Sequence, residues 1–536
     1  MPSQIPAKEL RARIVEGSEL ALIDLREEGE FANRHLLFAI SISLSRLELQ
    51  FGAMVPRRDV PIVLCEKGAD TGLVDRGAER LAGFGYTDIS VLDGGIDAWE
   101  RAGYELFSGV NVPSKAFGEF VEHSCETPHI SAADVKGMIE AGENMIVLDS
   151  RPMSEYTAMS IPTGINVPGA ELAYRLSDMA PDPETTVIVN CAGRTRSIIG
   201  AQSLINAGVP NKVIALENGT MGWHLAGFEL DRGESRTYPG LSETARAVAL
   251  ERATNVAHRY GVEFITLQTL RNWQADRART TYLLDVRAPD EFKSGHVPGS
   301  ISAPGGQLVQ ATDRYVGVRG ARLVLVDDDG VRATMTASWL IQLGWPDVAV
   351  LEGGVSSAGA TERGTYQTVA LGSEDVDVTM ISPGDLSEKL NSGGCCVVDL
   401  ATSLRYRDAG HIPGAWFVIR SRMPENLGKL PKFQTLVLTS PDGRLAQITA
   451  MDEALKEFDV VVLEGGTDAW CDAGLPLETG FTNMADETDD LWYRPYDMED
   501  ANEGAMKQYL SWEVNLVAQL ERDGTTSFRS FPEQQT

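Results

Sequence analysis

The feature that most constrains the fold is a fourfold internal repeat. An apolar run ending in aspartate recurs in the segments ALIDLR, IVLDSR, YLLDVR and CVVDLA, at Asp24, Asp149, Asp285 and Asp399. A second phrase, VLDGG or a close variant, follows 65 to 69 residues later, at Asp93, Glu217, Glu352 and Glu464. Between them a third apolar run ends 41 or 42 residues after the first aspartate. A spacing kept four times predicts four copies of one structural unit.

Each unit has the pattern of an α/β domain. Apolar β-branched runs such as residues 187–189 are typical of buried parallel strands, and each is followed by a polar turn and a helical pattern. Strands separated by helices form right-handed crossovers and a parallel sheet. We therefore predict an α/β fold with four tandem domains, each a parallel sheet flanked by helices. The predicted bounds are 1–108 (domain 1), 125–235 (domain 2), 260–370 (domain 3) and 375–480 (domain 4).

The remaining segment, 481–536, differs from the repeats in composition. It holds twelve acidic residues against four basic ones, with five interspersed tryptophans and tyrosines. We predict an acidic C-terminal extension that contains one helix, about residues 502–521, packed on the repeats. The alternative is a tail that binds a partner.

Composition excludes several classes of function. A formal net charge of −30 argues against nucleic acid and anionic membrane surfaces as partners. No apolar run approaches membrane-spanning length, and the first residues carry no secretory apolar core. Six cysteines in 536 residues predict neither a disulfide framework nor, without C-x-x-C pairs, a structural metal site. A cytoplasmic location fits this pattern.

The strongest chemical signal is the stretch VIVNCAGRTRS, residues 187–197. Cys191 stands where the predicted strand ends and a helix begins, so backbone N–H groups and the helix start favour a thiolate there. Two arginines add positive charge, and the same loop would bind an anion. We predict Cys191 as the nucleophile, although a buried cysteine can also simply pack. The predicted substrate-binding residues are Ala192, Gly193, Arg194, Thr195, Arg196 and Ser197.

The other three copies differ at this position. Cys65 ends the third apolar run of domain 1 and aligns with Cys191, so we keep it as a candidate second nucleophile. Glu66 and Asp70 place negative charge beside it, which disfavours a thiolate, and Lys67 offsets part of that charge. Domains 3 and 4 carry Asp327 and Ser440 instead and are predicted to be inactive.

Other recurring residues are predicted to be structural. Arginine follows the first aspartate by two positions, and glutamate follows it by six, in three copies; we expect ion pairs and turn caps rather than an acid/base pair. Tryptophan recurs six residues after the acidic residue of the second phrase in three copies, at Trp99, Trp223 and Trp470. These are expected to be core anchors.

Taken together, these segments resemble the rhodanese (sulfurtransferase) family up to about residue 480. The layout resembles the four-domain rhodanese-like proteins of bacteria, and domains 3 and 4 resemble family modules that have lost the cysteine. The resemblance is carried by DLREEGEF at Asp24, DSRPMSEY at Asp149, DVRAPDEFKSGHVPG at Asp285, DLATSLRYRDAGHIPGA at Asp399 and the four VLDGG-like phrases.

The resemblance implies sulfur metabolism: transfer of sulfane sulfur from thiosulfate to cyanide or a cellular thiol, by way of a persulfide on Cys191. The implied partners are a small-molecule sulfur donor and acceptor, with a protein sulfur acceptor as a further option. It implies no metal and no cofactor.

The alternatives to thiosulfate sulfur transfer are a phosphatase, a mercaptopyruvate-type sulfurtransferase and a binding scaffold. A phosphatase of this fold has five residues between cysteine and arginine, whereas four separate Cys191 from Arg196. A mercaptopyruvate-type sulfurtransferase has the loop Cys-Gly-Ser/Ala-Gly-Val-Thr, which this sequence lacks. A binding scaffold stays open, because two of the four modules lack the thiol.

Overall fold

The chain divides into two compact units. The structure, a computed structural model, describes residues 2–68, 72–359, 361–375, 377–498 and 503–531. Unit 1 comprises Met1–Leu10, Leu22–Val110 and Thr368–Asp500, and therefore the bulk of domains 1 and 4. Unit 2 comprises Arg11–Ala21, Asn111–Gln367 and Ala501–Thr536, and therefore the bulk of domains 2 and 3 with the end of the chain. Domain 1 thus packs with domain 4, and domain 2 with domain 3.

The strands are regularly spaced along the chain. In domains 1 and 2 they are β1 (Ser3–Ile5), β2 (Ala21–Asp24), β3 (Ile40–Ser41), β4 (Ile62–Cys65), β5 (Ile89–Leu92), β6 (His129–Ile130), β7 (Met145–Asp149), β8 (Ile165–Asn166), β9 (Thr186–Asn190) and β10 (Val213–Leu216). In domains 3 and 4 they are β11 (Glu263–Ile265), β12 (Thr281–Asp285), β13 (Ile301–Ser302), β14 (Arg322–Val326), β15 (Asp347–Leu351), β16 (Met380–Ile381), β17 (Cys395–Asp399), β18 (Trp416–Phe417), β19 (Thr435–Thr439) and β20 (Val460–Leu463).

Helices separate these strands and join the domains. In chain order, the helices of the first half are α1 (Ala7–Glu16), α2 (Glu28–Asn33), α3 (Leu47–Met54), α4 (Leu73–Gly83), α5 (Gly95–Arg101), α6 (Val112–Cys125), α7 (Ala132–Ala141), α8 (Met153–Ala158), α9 (Leu172–Met179), α10 (Thr195–Asn206) and α11 (Gly219–Leu225). The rest are α12 (Glu243–Tyr260), α13 (Leu267–Ala275), α14 (Pro289–Ser294), α15 (Gly305–Gln310), α16 (Val331–Gln342), α17 (Pro383–Ser392), α18 (Ser403–Asp408), α19 (Met423–Asn426), α20 (Arg444–Ala450), α21 (Gly466–Asp472) and α22 (Glu503–Asp523).

All four sheets have one topology. In domain 2 the strand order is β6-β10-β9-β7-β8, and the other domains repeat it with their own five strands. The pairs are parallel, as between β7 and β9 or between β9 and β10. The predicted α/β class with four parallel sheets is confirmed. The three apolar runs of each repeat form the three central strands.

A buried ion pair lies at the carboxyl end of the central strand that comes first in the chain, β7 in domain 2. In domain 2, Arg151 donates from Nε and Nη2 to Asp149 at 2.9 and 2.7 Å, and domains 1 and 3 repeat the pair. Domain 4 has Ala401 at the arginine position, and burial raises the pKa of Asp399 to about 6. The predicted structural role of this pair is confirmed. The three recurring tryptophans are buried, as expected of core anchors.

The predicted C-terminal helix corresponds to α22, in unit 2. Its predicted first residue, Asn502, lies outside the described residues. Within the ranges given above, none of the helices combines the length and apolar character needed to cross a membrane.

Candidate active site

The Cys191 loop, residues 191–197, connects a buried strand to a helix. Strand β9 ends at Asn190 and α10 begins at Thr195, so Cys191 is the first residue beyond the strand. This places the thiol at the carboxyl edge of the sheet, where sites form in parallel α/β folds. Cys191 is 2% exposed. Its Sγ lies 3.6 Å from Ser197 Oγ, which itself donates to the Arg194 carbonyl oxygen.

Domain 3 shows what the backbone of such a loop can bind. Its aspartate at the Cys191 position, Asp327, is buried and accepts hydrogen bonds from the N–H groups of Gly330, Arg332 and Ala333, at 2.6, 2.9 and 3.2 Å. Burial raises the pKa of Asp327 to about 6, and these N–H donors act against that rise. The loop backbone is therefore arranged to hold an anionic group at its centre.

Arg194 is anchored by the helix that precedes domain 2. Its Nε and Nη2 donate to Glu119 of α6 at 2.7 and 2.8 Å, and Nη2 also pairs with Glu122. The third nitrogen, Nη1, lies 3.4 Å from Asn218 Oδ1. Because two carboxylates already balance this guanidinium, Arg194 fixes the loop to α6 and offers less attraction to an anion than a solvated arginine would.

Arg196 is anchored from two domains. Within domain 2 it forms a two-pronged ion pair with Glu155, with distances of 2.9 and 2.8 Å. From domain 3, Gln307 Oε1 accepts a hydrogen bond from Nη1 at 3.1 Å. Glu155 is the glutamate six residues after Asp149, and the ion pair predicted for it is present, with Arg196 as its partner.

The C-terminal helix α22 packs against the outer side of the loop. Glu513 is fully buried and its Oε1 accepts from Thr195 Oγ1 at 3.3 Å and from the Tyr509 hydroxyl at 2.9 Å. Lys115 Nζ of α6 lies 3.2 Å from the same oxygen. A Cβ atom on Gly193 would approach Glu513 Oε2 to 3.2 Å, so glycine lets the loop and the helix pack closely.

Cys65 does not occupy the position of Cys191. In domain 1 the N–H of Leu25, the residue after the buried aspartate, donates to the Cys65 carbonyl oxygen. In domain 2 the equivalent N–H, of Ser150, donates to the Asn190 carbonyl oxygen. Cys65 is thus equivalent to Asn190, the last residue of the strand. The alignment of Cys65 with Cys191 was wrong by one residue. Since side chains alternate between the faces of a strand, one residue changes where the thiol points.

Glu66 is the residue of domain 1 that corresponds to Cys191. The carbonyl oxygen of Glu66 accepts from Ile96, as that of Cys191 accepts from Thr220 at the start of the next helix. Asp70, which sequence analysis placed in this loop, lies outside the described residues. At the equivalent position of domain 4, the Ser440 hydroxyl oxygen accepts from the Ala446 N–H at 3.3 Å.

The environment of Cys65 is that of a buried neutral thiol. It is fully buried, its Sγ lies 3.5 Å from the Ile23 carbonyl oxygen, and it faces the Asp24 carboxylate. Asn190 donates to the equivalent Asp149 at 2.9 Å. Burial, with the added charge of Asp24, raises the pKa of the Cys65 thiol well above its ordinary value.

Several residues around Cys191 were missed by sequence analysis. They share one property, distance along the chain: Gln307 is 111 residues from Arg196, and Glu513 is 318 from Thr195. No local motif connects such positions. Within the described part of the chain, no group of three or more histidine, cysteine, aspartate or glutamate side chains is placed to hold a metal ion.

The solved structures include one that matches almost the whole chain. It is the crystal structure of a thiosulfate sulfurtransferase from Pseudomonas aeruginosa, 49% identical, with a TM-score of 0.95 over 99% of this chain and 100% of that one.

Curated relatives match shorter parts. The HTH-type transcriptional regulator Rv0324 of Mycobacterium tuberculosis is 36% identical over 104 residues, 19% of this chain and 45% of the regulator. The putative sulfur carrier protein YrkF of Bacillus subtilis is 26% identical over 136 residues, 24% of this chain and 72% of that protein. This chain therefore spans less than half of the regulator's length.

The family model described as rhodanese-like domain matches the chain four times, over residues 6–102, 131–226, 266–360 and 382–473. Each match contains the three central strands of one sheet. The chain belongs to the rhodanese-like domain family, with four copies of that domain.

Proposed function

We propose that this protein is a thiosulfate sulfurtransferase whose sulfur-carrying residue is Cys191 of domain 2. The observation that carries the proposal is the place of Cys191, directly after strand β9, where the equivalent residue of domain 3 is a carboxylate that accepts three N–H hydrogen bonds. The near full-length similarity to the Pseudomonas thiosulfate sulfurtransferase supports the same conclusion. Domains 3 and 4 have no thiol at this position, and domain 1 has Glu66 there.

The reaction proceeds in two displacements. In the first, the Cys191 thiolate attacks the outer sulfur of thiosulfate, a new S–S bond forms at Sγ, and the S–S bond of thiosulfate breaks. Its electron pair leaves with sulfite, and Cys191 carries a persulfide. In the second, cyanide or a thiolate attacks the terminal sulfur, and the electron pair of the broken S–S bond returns to Sγ. Both steps balance without an oxidant, a reductant, a metal or a cofactor.

Different groups of the loop carry different parts of this chemistry. The three donor positions of domain 3 correspond to Arg194, Arg196 and Ser197, but the Ser197 N–H donates to the Arg194 carbonyl oxygen at 3.1 Å. The backbone also differs at the fourth residue of the loop, with φ −118° at Arg194 and +91° at Gly330. We therefore assign the N–H groups of Arg194 and Arg196 to the charge of the thiolate and persulfide.

The two guanidinium groups hold the loop in place through their ion pairs. We propose that both also attract the sulfonate of the donor, with the contribution of Arg194 reduced by its two carboxylates. Ala192, Gly193 and Thr195 complete the wall of the site.

The partners we propose are a small anionic sulfur donor and a cyanide or thiol acceptor, the latter free or on a protein. The net charge of −30 argues against nucleic acid as a partner. All six cysteines are free thiols, which supports a reducing, cytoplasmic location.

Cyanolysis tests the proposal. The full-length protein, given thiosulfate and cyanide, is expected to release thiocyanate over many turnovers, and Cys191→Ser is expected to release none. Release that survives in Cys191→Ser would move the activity to another cysteine. A wild-type protein that forms no thiocyanate from thiosulfate would favour a binding scaffold.

A further inference from the structure

Domains 2 and 3 place equivalent arginines in equivalent surroundings. Arg196 follows Cys191 by five residues, and Arg332 follows Asp327 by five. Each pairs with the glutamate of its own domain that lies six residues after the buried aspartate: Arg196 with Glu155, and Arg332 with Glu291 at 2.7 Å. The two loops thus share the position of the arginine and its ion pair with a glutamate of the same domain.

Each arginine also reaches a residue of the other domain. Arg196 Nη1 donates to Gln307 of domain 3 at 3.1 Å, and Arg332 Nη1 donates to Glu171 of domain 2 at 2.6 Å. Gln307 follows Asp285 by 22 residues, and Glu171 follows Asp149 by the same number. The two contacts are therefore equivalent, with a neutral amide in one and a carboxylate in the other.

The charge around the two arginines differs as a result. Three carboxylates bind Arg332, because Asp328 adds a contact at 2.9 Å to those of Glu171 and Glu291. Arg196 is bound by the Glu155 carboxylate and by the neutral Gln307. At the equivalent interdomain contact, Arg196 therefore meets a neutral amide, whereas Arg332 meets a carboxylate.

We propose that Gln307 is a specificity-determining residue through which domain 3 keeps the site of domain 2 receptive to a dianionic sulfur donor. It holds Arg196 by a hydrogen bond without adding the negative charge that its equivalent, Glu171, brings to Arg332. The inference rests on the proposed function, since it assumes that thiosulfate reacts at Cys191. It gives the thiol-free domain 3 a role in the chemistry of domain 2.

A carboxylate at position 307 is compatible with this architecture. The pair of Arg332 with Glu171 and Glu291 shows two carboxylates on one buried guanidinium at the equivalent place. Gln307→Glu changes the charge next to Arg196 while nearly preserving side-chain size. The added negative charge would lie beside Arg196 of the Cys191 loop, and we expect it to oppose the binding of a dianionic donor.

The test measures KM and kcat for thiosulfate in full-length wild type, Gln307→Glu, Gln307→Ala and Gln307→Lys, with cyanide as acceptor. Gln307→Glu is expected to raise KM for thiosulfate about tenfold with kcat within about twofold. Gln307→Ala, which loses the hydrogen bond and adds no charge, is expected to stay within about threefold. Gln307→Lys, whose ammonium can pair with Glu155, is expected to lower KM.

The dependence of KM on ionic strength distinguishes an effect of the added charge from an effect of altered structure. The ratio of KM in Gln307→Glu to KM in wild type is expected to fall as ionic strength rises, because salt screens the added charge. Glu171→Gln is the matched control: it changes the equivalent contact, which is made to Arg332 of domain 3, and its KM is expected to equal that of wild type.

Three outcomes would overturn the inference. One is a KM within twofold of wild type in all three Gln307 variants; another is an equal rise in all three, which would assign the effect to the contact and not its charge. The third applies if Gln307→Glu does not fold: an unchanged or raised KM for thiosulfate in Gln307→Lys would then contradict the inference. An inactive wild-type protein contradicts the proposed function and the inference with it, whereas an active one with unchanged KM values contradicts the inference alone.

Discussion

Domains 1 and 2 each carry a cysteine at the end of the third central strand, yet the two thiols have opposite surroundings. Cys65 is the last residue of β4 and points to the buried Asp24, next to the Ile23 carbonyl oxygen. Cys191 is the first residue beyond β9 and lies in the loop that leads into α10. One position along the chain separates a thiol held neutral in the sheet from a thiol in the loop that we propose as the active site.

The comparison shows that the position in the loop, and not the presence of a cysteine, sets the surroundings of the thiol. At the Cys191 position domain 3 has a carboxylate, Asp327, and domain 1 has Glu66. In domain 2 the loop is further held from outside the domain by Glu119 of α6, Gln307 of domain 3 and Glu513 of α22.

The largest expected effect is the loss of activity on removing one thiol and not the other. Cys191→Ser should lower the rate of thiocyanate formation by roughly a thousandfold or more, because the nucleophile is lost. Cys65→Ser keeps a buried hydroxyl that can donate to the Ile23 carbonyl, so its rate should match wild type. Equal losses in the two variants would show that the distinction between the thiols is wrong.

A smaller effect is expected from the C-terminal helix that holds the Cys191 loop. Glu513→Ala removes the acceptor of Thr195 and Tyr509 and leaves Lys115 without its buried carboxylate, so the loop is less well positioned. The kcat/KM for thiosulfate should fall about tenfold. The neighbouring Val514→Ala, at a residue 52% exposed, is the control and should change nothing. A kcat/KM equal to that of wild type in Glu513→Ala would show that the activity of domain 2 does not depend on this contact with α22.

The smallest expected effect concerns stability at alkaline pH. The folded-state pKa of Cys65 is raised by burial, so its contribution to stability is complete below about pH 8.5, the ordinary thiol value, and is lost as pH rises toward the folded pKa. Above about pH 8.5 the free energy of unfolding should fall by up to about 1.4 kcal/mol per pH unit more in wild type than in Cys65→Ser. Denaturant unfolding at a series of pH values measures this difference, and parallel curves for the two proteins would argue against a neutral Cys65.

Much of the fold followed from the sequence because its signal is periodic. The three apolar runs of each repeat predicted the central strands of its sheet. The outer strands are only two or three residues long, as in β1 and β8, and such short segments carry no recognisable pattern.

The site was predicted less completely than the fold. The Cys191 loop is contiguous, so its residues could be named from the sequence. Cys65 was misaligned because an apolar run ending in cysteine looks the same in both domains. The spacing gave no warning, since Ser440 of domain 4 follows its aspartate by the same 41 residues and does occupy the Cys191 position. Gln307 and Glu513 approach the loop through tertiary packing between segments far apart in the chain, which local patterns do not record.

The central claim is that Cys191 alone carries the transferred sulfur. The most direct measurement is mass spectrometry of the full-length protein after exposure to thiosulfate and removal of the excess, with peptides mapped under non-reducing conditions. The account predicts one added sulfur atom, on the peptide that contains Cys191, and its loss on addition of cyanide. Sulfur on the Cys65 peptide, or none on Cys191, would contradict it.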